Sequence, residues 1–186
     1  SAPFSFTLDT TSTITVSLAD DTGLLNTDRI TSDIALKGST GAGDTVTVSE
    51  GSTLLQTVTA DATGAWKATP TGLADGSHLL TVVTKDVAGN TGSRTIAVTL
   101  DTTTPAPTIA LASDTGTSAS DGLTNLPVLT GTAEANSTLT IRDQAGVVLR
   151  TTYANAAGVW QTQLNGLPDG VHTVTVTAVD KAGNTS

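Results

Sequence analysis

The clearest pattern in the chain is an alternation of apolar and polar positions with a period of two. In His172-Thr-Val-Thr-Val-Thr-Ala178, residues His172, Val174, Val176 and Ala178 share one face, and Thr173, Thr175 and Thr177 share the other. That is the signature of a half-buried β-strand. Thr45-Val-Thr-Val-Ser49 and Thr138-Leu-Thr-Ile-Arg142 alternate in the same way. In the first half of the chain the pattern predicts strands over about 13–18, 31–38, 44–50, 54–60, 65–69, 78–85 and 94–100, separated by Gly, Asn and Asp turn signals. No helical period of useful length accompanies them.

The pattern also repeats. Asp21-Thr-Gly with Asp28 returns as Asp114-Thr-Gly with Asp121, and Leu36-Lys-Gly38 as Leu129-Thr-Gly131. Gly64-Ala-Trp66 matches Gly158-Val-Trp160, and Asp86-Val-Ala-Gly-Asn-Thr91 matches Asp180-Lys-Ala-Gly-Asn-Thr185. The period of about 93 residues is too long for a solenoid unit and suits a small β-sandwich. Seven short strands per period point to an all-β chain of two tandem immunoglobulin-like sandwiches in an elongated rod. The stretch Val98-Thr-Leu-Asp-Thr-Thr-Thr-Pro-Ala-Pro107 is read as the junction: repeat 1 covers 9–100 and repeat 2 covers 101–186.

Composition narrows the classes. Thr, Val, Ile and Leu favour strands. Of 17 acids only Glu50 and Glu134 are Glu, so the negative charge belongs to turns rather than helices. Eight Lys and Arg in a chain of net charge −9 form no basic cluster, which argues against nucleic acid and anionic membranes as partners. Without Cys there are no disulfides and no thiol chemistry. No apolar run is long enough for a transmembrane helix.

Two residue types invite a functional reading. His78 and His172 take the place of the Tyr that ties a strand start to an upstream turn in such sandwiches. Their recurrence in both repeats favours a structural role over metal binding. Trp66 and Trp160 follow a Gly turn into a strand, where core packing is favoured over a sugar-stacking platform. Candidate carboxylate pairs recur in equivalent loops, and no Gly-rich phosphate loop opens a helix. No catalytic residues are assigned and the chain does not read as an enzyme.

The motifs Ser113-Asp-Thr-Gly, Ser120-Asp-Gly-Leu-Thr-Asn125, Gly131-Thr-Ala, Gly158-Val-Trp160, Leu167-Pro-Asp-Gly170 and Val179-Asp-Lys-Ala-Gly-Asn184 together resemble the bacterial Ig-like repeats of giant surface adhesins exported by type I secretion. The resemblance covers essentially the whole chain. Repeat 1 departs from it at Ser12, where repeat 2 has Pro105, and at Arg29, where repeat 2 has Gly122; neither change removes an acid. The resemblance implies an extracellular location on the bacterial surface. It implies a structural extender that serves cell adhesion and biofilm formation by projecting a binding tip. It also implies calcium at the junctions between repeats.

The residues support calcium on their own account. In an immunoglobulin-type sandwich the chain enters at one end and leaves at the other. The first loop of repeat 1 and the last loop of repeat 2 should therefore face the junction. That would bring Asp21 and Asp28 towards Asp101 and Asp180, with Asp20, Asp75 and Glu134 within reach. Converging carboxylates repel one another. A hard cation relieves them, and Ca²⁺ with its six to eight oxygen ligands fits loop-built sites better than Mg²⁺. Without His or Cys in the group, zinc is disfavoured. By repeat symmetry, Asp114 and Asp121 form half of a following junction, and Asp9 and Asp86 half of a preceding one. The competing reading is that each Asp caps its own turn.

The ends carry a further expectation. Phe4-Ser-Phe-Thr-Leu-Asp9 matches Ile96-Ala-Val-Thr-Leu-Asp101, so residues 1–8 read as the last strand of a preceding repeat, and repeat 2 has no last strand of its own. The chain is then an excerpt of a longer array whose neighbours are further repeats. Alternatively, it is a subunit of a head-to-tail extracellular filament built by N-terminal strand donation. A ligand-binding adhesin module is the other rival, though exposed aromatics for sugar binding are few.

Overall fold

A computed structural model describes residues 2–186. The described residues hold strands and no helix, and the chain divides after Asp101 into two units, Ser1–Asp101 and Thr102–Ser186.

The first unit contains β1 (Ser17–Leu18), β2 (Ile30–Thr31), β3 (Leu36–Ser39), β4 (Thr45–Glu50), β5 (Thr53–Thr59), β6 (Ala65–Ala68), β7 (Gly76–Lys85) and β8 (Thr91–Leu100). One sheet has the order β1-β3-β6, and the other has the order β2-β8-β7-β4-β5. Alternate residues of the two sheets meet in one core: Leu36, Trp66 and Ala68 from the first, and Val46, Val48, Leu80, Val82, Ile96, Val98 and Leu100 from the second. The alternation in the sequence is therefore the alternation of core and solvent.

Most expected strands lie where the alternation places them. The expected strand over about 31–38 instead splits in two. Ile30 and Thr31 run parallel to β8, whereas Leu36–Ser39 pairs with β6 in the other sheet. Side chains take over the backbone bonding at the crossing. The buried Thr31 hydroxyl donates to the Asp33 carbonyl at 3.0 Å and accepts from the Asp33 N–H at 3.1 Å. Asp33 Oδ1 then accepts the Ala35 N–H at 2.9 Å. The expected strand over about 13–18 contracts to two residues, with the Thr15 N–H to Ser39 carbonyl bond of 2.9 Å extending its line of contact.

The second unit contains β9 (Ala110–Leu111), β10 (Val128–Thr132), β11 (Thr138–Asp143), β12 (Val148–Tyr153), β13 (Val159–Gln163) and β14 (Val174–Val179). Its sheets have the orders β13-β10-β9 and β12-β11-β14. Leu129, Leu139, Ile141, Ala154, Trp160 and Leu164 form its core.

The Gly38 and Gly131 positions explain one repeated motif. A Cβ on Gly38 would overlap the Thr15 carbonyl and approach the Trp66 ring to 2.7 Å. A Cβ on Gly131 would overlap the Thr108 carbonyl and approach Trp160 Nε1 to 2.9 Å. The missing side chain lets an incoming segment cross directly above each buried indole. Trp66 and Trp160 are core residues, as their spacing led us to expect.

Candidate metal centre

The acids expected to bind metal fall into two kinds of loop. In the first unit, Asp21 and Asp28 flank a loop that folds back on itself. Asp21 Oδ2 accepts the Arg29 N–H at 3.0 Å, and Asp28 Oδ1 accepts the Ile30 N–H at 3.0 Å. The loop is fastened to the end of β8: the Thr99 N–H donates to the Arg29 carbonyl at 2.8 Å, and the Asp101 N–H donates to the Thr31 carbonyl at 3.0 Å. Asp21, Asp28 and Asp101 thus belong to one end of the first sandwich. The Asp20 carbonyl accepts from the buried Thr31 hydroxyl at 3.2 Å, which ties it to the same loop.

The second unit builds the same loop. Asp114 Oδ2 accepts the Gly122 N–H at 2.8 Å and Asp121 Oδ1 the Leu123 N–H at 3.0 Å. Gly122 and Arg29 occupy matched positions, both with left-handed backbones, φ 77° and 61°. The Arg at this position in repeat 1 therefore keeps the loop geometry at a conformational cost of roughly 1–2 kcal/mol.

Each of these loops leaves the same atom without a partner. Asp21 Oδ1 and Asp114 Oδ1 are buried and accept no hydrogen bond. A buried oxygen left this way costs about 1–3 kcal/mol, more when it carries charge. The turn-capping reading explains Oδ2 in both residues and leaves Oδ1 unexplained in both.

The second kind of loop follows the strand pairing of β7 and β8. Asp86 Oδ1 accepts the Asn90 N–H at 2.7 Å, and Oδ2 accepts Asn90 Nδ2 at 2.8 Å. The Asn90 side-chain bond, with the backbone N–H groups of the turn, holds the Asp86 carboxyl below the usual carboxylate range. Asn90 Nδ2 also donates to the Asp9 carbonyl at 3.1 Å. Asp9 and Asp86 line a hollow of about 270 Å³ together with Asp44.

Asp44 escaped the sequence reading. It is buried, and its Oδ2 accepts the Thr40 hydroxyl at 2.7 Å, the Gly41 N–H at 2.9 Å and the Thr84 hydroxyl at 3.3 Å. Its signal was weak because repeat 2 has Ser137 at that position. Repeat 2 carries its acid three residues earlier, as Glu134 opposite Gly41. The buried Asp180 repeats the Asp86 turn, accepting the Asn184 N–H at 2.9 Å and Asn184 Nδ2 at 2.7 Å. Glu134 and Asp180 bring carboxylate oxygens within 4.8 Å of each other. Both repeats thus hold an acid beside the Asp-Asn turn, by different residues.

The two histidines close corners, as expected. His78 Nε2 donates to the Ala74 carbonyl at 2.8 Å, and His172 Nε2 donates to the Pro168 carbonyl at 2.8 Å. Neither belongs to the acidic loops.

Three comparisons place the chain among known proteins. A search of curated proteins finds no match. Among solved structures, the tetra-tandem repeat in the extending region of a large adhesion protein is 26% identical, with a TM-score of 0.37. The match covers 94% of this chain and 47% of that one. A Ca²⁺-stabilized adhesin of an Antarctic bacterium is 26% identical over 94% of this chain and 46% of that chain, with a TM-score of 0.40. A 1.5-MDa bacterial ice-binding adhesin is 25% identical over 94% and 61%, with a TM-score of 0.38. This chain thus spans less than two thirds of each of those chains. The family comparison covers nearly every residue: 6–102 and 103–186 each match the bacterial Ig-like domain, and the chain belongs to that family as two tandem copies.

Proposed function

We propose that the chain is a structural extender segment of a bacterial cell-surface adhesin, stiffened by calcium at the ends of its Ig-like domains. The tandem arrangement of one domain type supports the extender role. The observation that carries the calcium reading is the pair of buried, unpartnered oxygens on Asp21 and Asp114. Ca²⁺ accepts carboxylate and backbone carbonyl oxygens at about 2.3–2.6 Å, and such donors are what these loops offer.

In this reading Asp21, Asp28 and Asp101 offer ligands at one end of the first domain, and Asp180 and Glu134 offer theirs in the second. Asp114 and Asp121 offer the matching half-site to a following domain. Asp9, Asp86 and Asp44 offer theirs to a preceding one. The bound ion supplies charge neutralisation. The chain's own residues orient the carboxylates through the backbone N–H groups of Arg29, Ile30, Gly122 and Leu123. A joint of like charges bends, whereas a neutralised and bridged joint holds its angle. The segment then serves adhesion and biofilm formation outside the cell by projecting a binding tip.

The test is calcium titration with melting and small-angle scattering. At calcium a hundredfold above Kd the ligand stabilises by about 2.7 kcal/mol. For a domain of this size that raises Tm by roughly 10 °C or more, and the scattering profile should stiffen. Asp101→Asn should remove most of the shift. Identical melting curves and scattering profiles in calcium and in EDTA would sink the proposal.

A further inference from the structure

Of the seven asparagines in the chain, Asn165 alone is followed by Gly. Asn165 and Gly166 lie exposed on the loop between β13 and β14. Among the described residues, neither the Asn165 side chain nor the Gly166 N–H has a hydrogen-bond partner. Gly166 has a left-handed backbone, φ 75°, and nothing lies within 4 Å of where a Cβ would stand on it. Solvent therefore reaches both the side-chain amide and the next backbone nitrogen.

The other asparagines are held or crowded. Asn155 Oδ1 accepts the Ala157 N–H at 2.9 Å and the Val159 N–H at 3.0 Å. Asn90 Nδ2 donates to Asp86 at 2.8 Å, and Asn184 Nδ2 donates to Asp180 at 2.7 Å. Asn125 Oδ1 accepts the Thr115 hydroxyl at 3.0 Å and precedes Leu126. Asn26 precedes the β-branched Thr27, and Asn136 precedes the buried Ser137. A side chain on the following residue restricts the approach of its nitrogen to the amide, and Gly has none. The first domain builds the same turn without an amide: Thr71-Gly72 stands where Asn165-Gly166 stands, with Gly72 at φ 84°.

We propose that Asn165 is a site of spontaneous covalent modification, in which the Gly166 nitrogen attacks the side-chain amide and water converts the product to aspartate and isoaspartate. The Gly166 nitrogen gives its proton to solvent base and bonds to Asn165 Cγ. The Cγ–Nδ2 bond breaks, and Nδ2 leaves as ammonia after taking a proton from solvent. Water then opens the cyclic imide. Opening at Cγ gives an aspartyl residue; opening at the main-chain carbonyl carbon gives an isoaspartyl residue, which carries the chain through Cβ and Cγ. No oxidant or reductant takes part. Either product adds a carboxylate to a loop that already exposes Asp169. The isoaspartyl form also adds a backbone atom between two anchors. One is the buried Leu164, whose N–H donates to the Pro127 carbonyl at 3.0 Å, and the other is Leu167, which packs against the core. Ageing thus alters the corner that His172 closes on Pro168 and spares its counterpart in the first domain. This inference does not rest on the calcium reading.

The test incubates the folded chain at mildly alkaline pH and follows it by peptide mapping with mass spectrometry. Asn165 should gain about one dalton and resolve into two products, roughly tenfold faster than any other asparagine. The same incubation in denaturant separates structure from sequence. Folding should slow the reaction at Asn165 by less than about threefold, and should slow it at Asn155, whose side chain is held, by roughly tenfold or more. Asn165→Thr should abolish the mass gain in this segment and remain folded, since Thr71 occupies the position in the first domain. The proposal is overturned if Asn165 reacts no faster than the other asparagines. It is also overturned if folding protects Asn165 as strongly as Asn155, or if the mass gain in this segment persists in Asn165→Thr.

Discussion

The two domains share a pattern but not a degree of burial. In the first, Leu80 and Val82 are fully buried under β8; in the second, the equivalent Val174 and Val176 are half-buried among the described residues. The corners differ as well. His78 is held from both sides, by the Ala74 carbonyl and by Glu50 Oε1 at 2.8 Å on Nδ1. A carbonyl and a carboxylate both accept, so the pair of contacts favours the protonated ring, in which both nitrogens donate. In the second domain Asp143 stands where Glu50 stands, and it caps its own turn at the Ala145 and Val147 N–H groups. Among the described residues His172 keeps the backbone bond alone, and it lies exposed. One repeated corner thus holds its histidine by two bonds or by one, according to what the acid at the Glu50 position does.

The contrast can be erased most forcefully by damaging β8. Val98→Asp buries an uncompensated charge and should cost more than about 4 kcal/mol. It should leave Leu80 and Val82 as exposed to hydrogen exchange as Val174 and Val176. If their protection survives, β8 is not what seals the first domain. Gly38→Ala places a methyl against the Thr15 carbonyl and the Trp66 ring. It should lower the first domain's stability by about 1–3 kcal/mol in chemical denaturation while the second domain's transition stays fixed. A neutral result would mean that the first strand is free to move away.

The smallest effect separates the corners by pH. Burial works against the charged His78 ring. The Ala74 and Glu50 hydrogen bonds and the Glu50 charge outweigh it, so the His78 pKa is raised above 6.5. A raised folded-state value means that the stabilisation is complete below about pH 6.5 and is lost as pH rises through the folded-state pKa. Glu50 is partly exposed, so the effect should be on the order of 0.5 kcal/mol. Denaturation of the first domain between pH 6 and 8.5 should show it, and Glu50→Gln should abolish it. An unchanged slope in Glu50→Gln would assign the pH dependence to another group.

Much of this was legible in the residues because alternation with period two has one physical meaning: a pleated strand with one face in a core. The two Trp and the two corner His were equally readable, since each recurs one period later; Gly38 and Gly131 recurred too, but what crosses above them was not legible. Asp44 and the crossing at Thr31–Asp33 were not. Asp44 has no acid at its counterpart, because repeat 2 places the carboxylate at Glu134. The crossing uses Thr and Asp side chains in place of the ladder, which periodicity does not register. The Glu50 contact to His78 was also hidden, because it joins neighbouring strands across 28 positions of sequence.

By itself, then, the sequence determined the all-β class, the two tandem copies and which positions face a core. Those follow from local backbone geometry and from burial averaged over many residues. Only the tertiary structure decided which carboxylate oxygens stay buried without a partner and which histidine meets an acid. Those depend on contacts between residues far apart in the chain, whose alignment is set by packing and not by pattern.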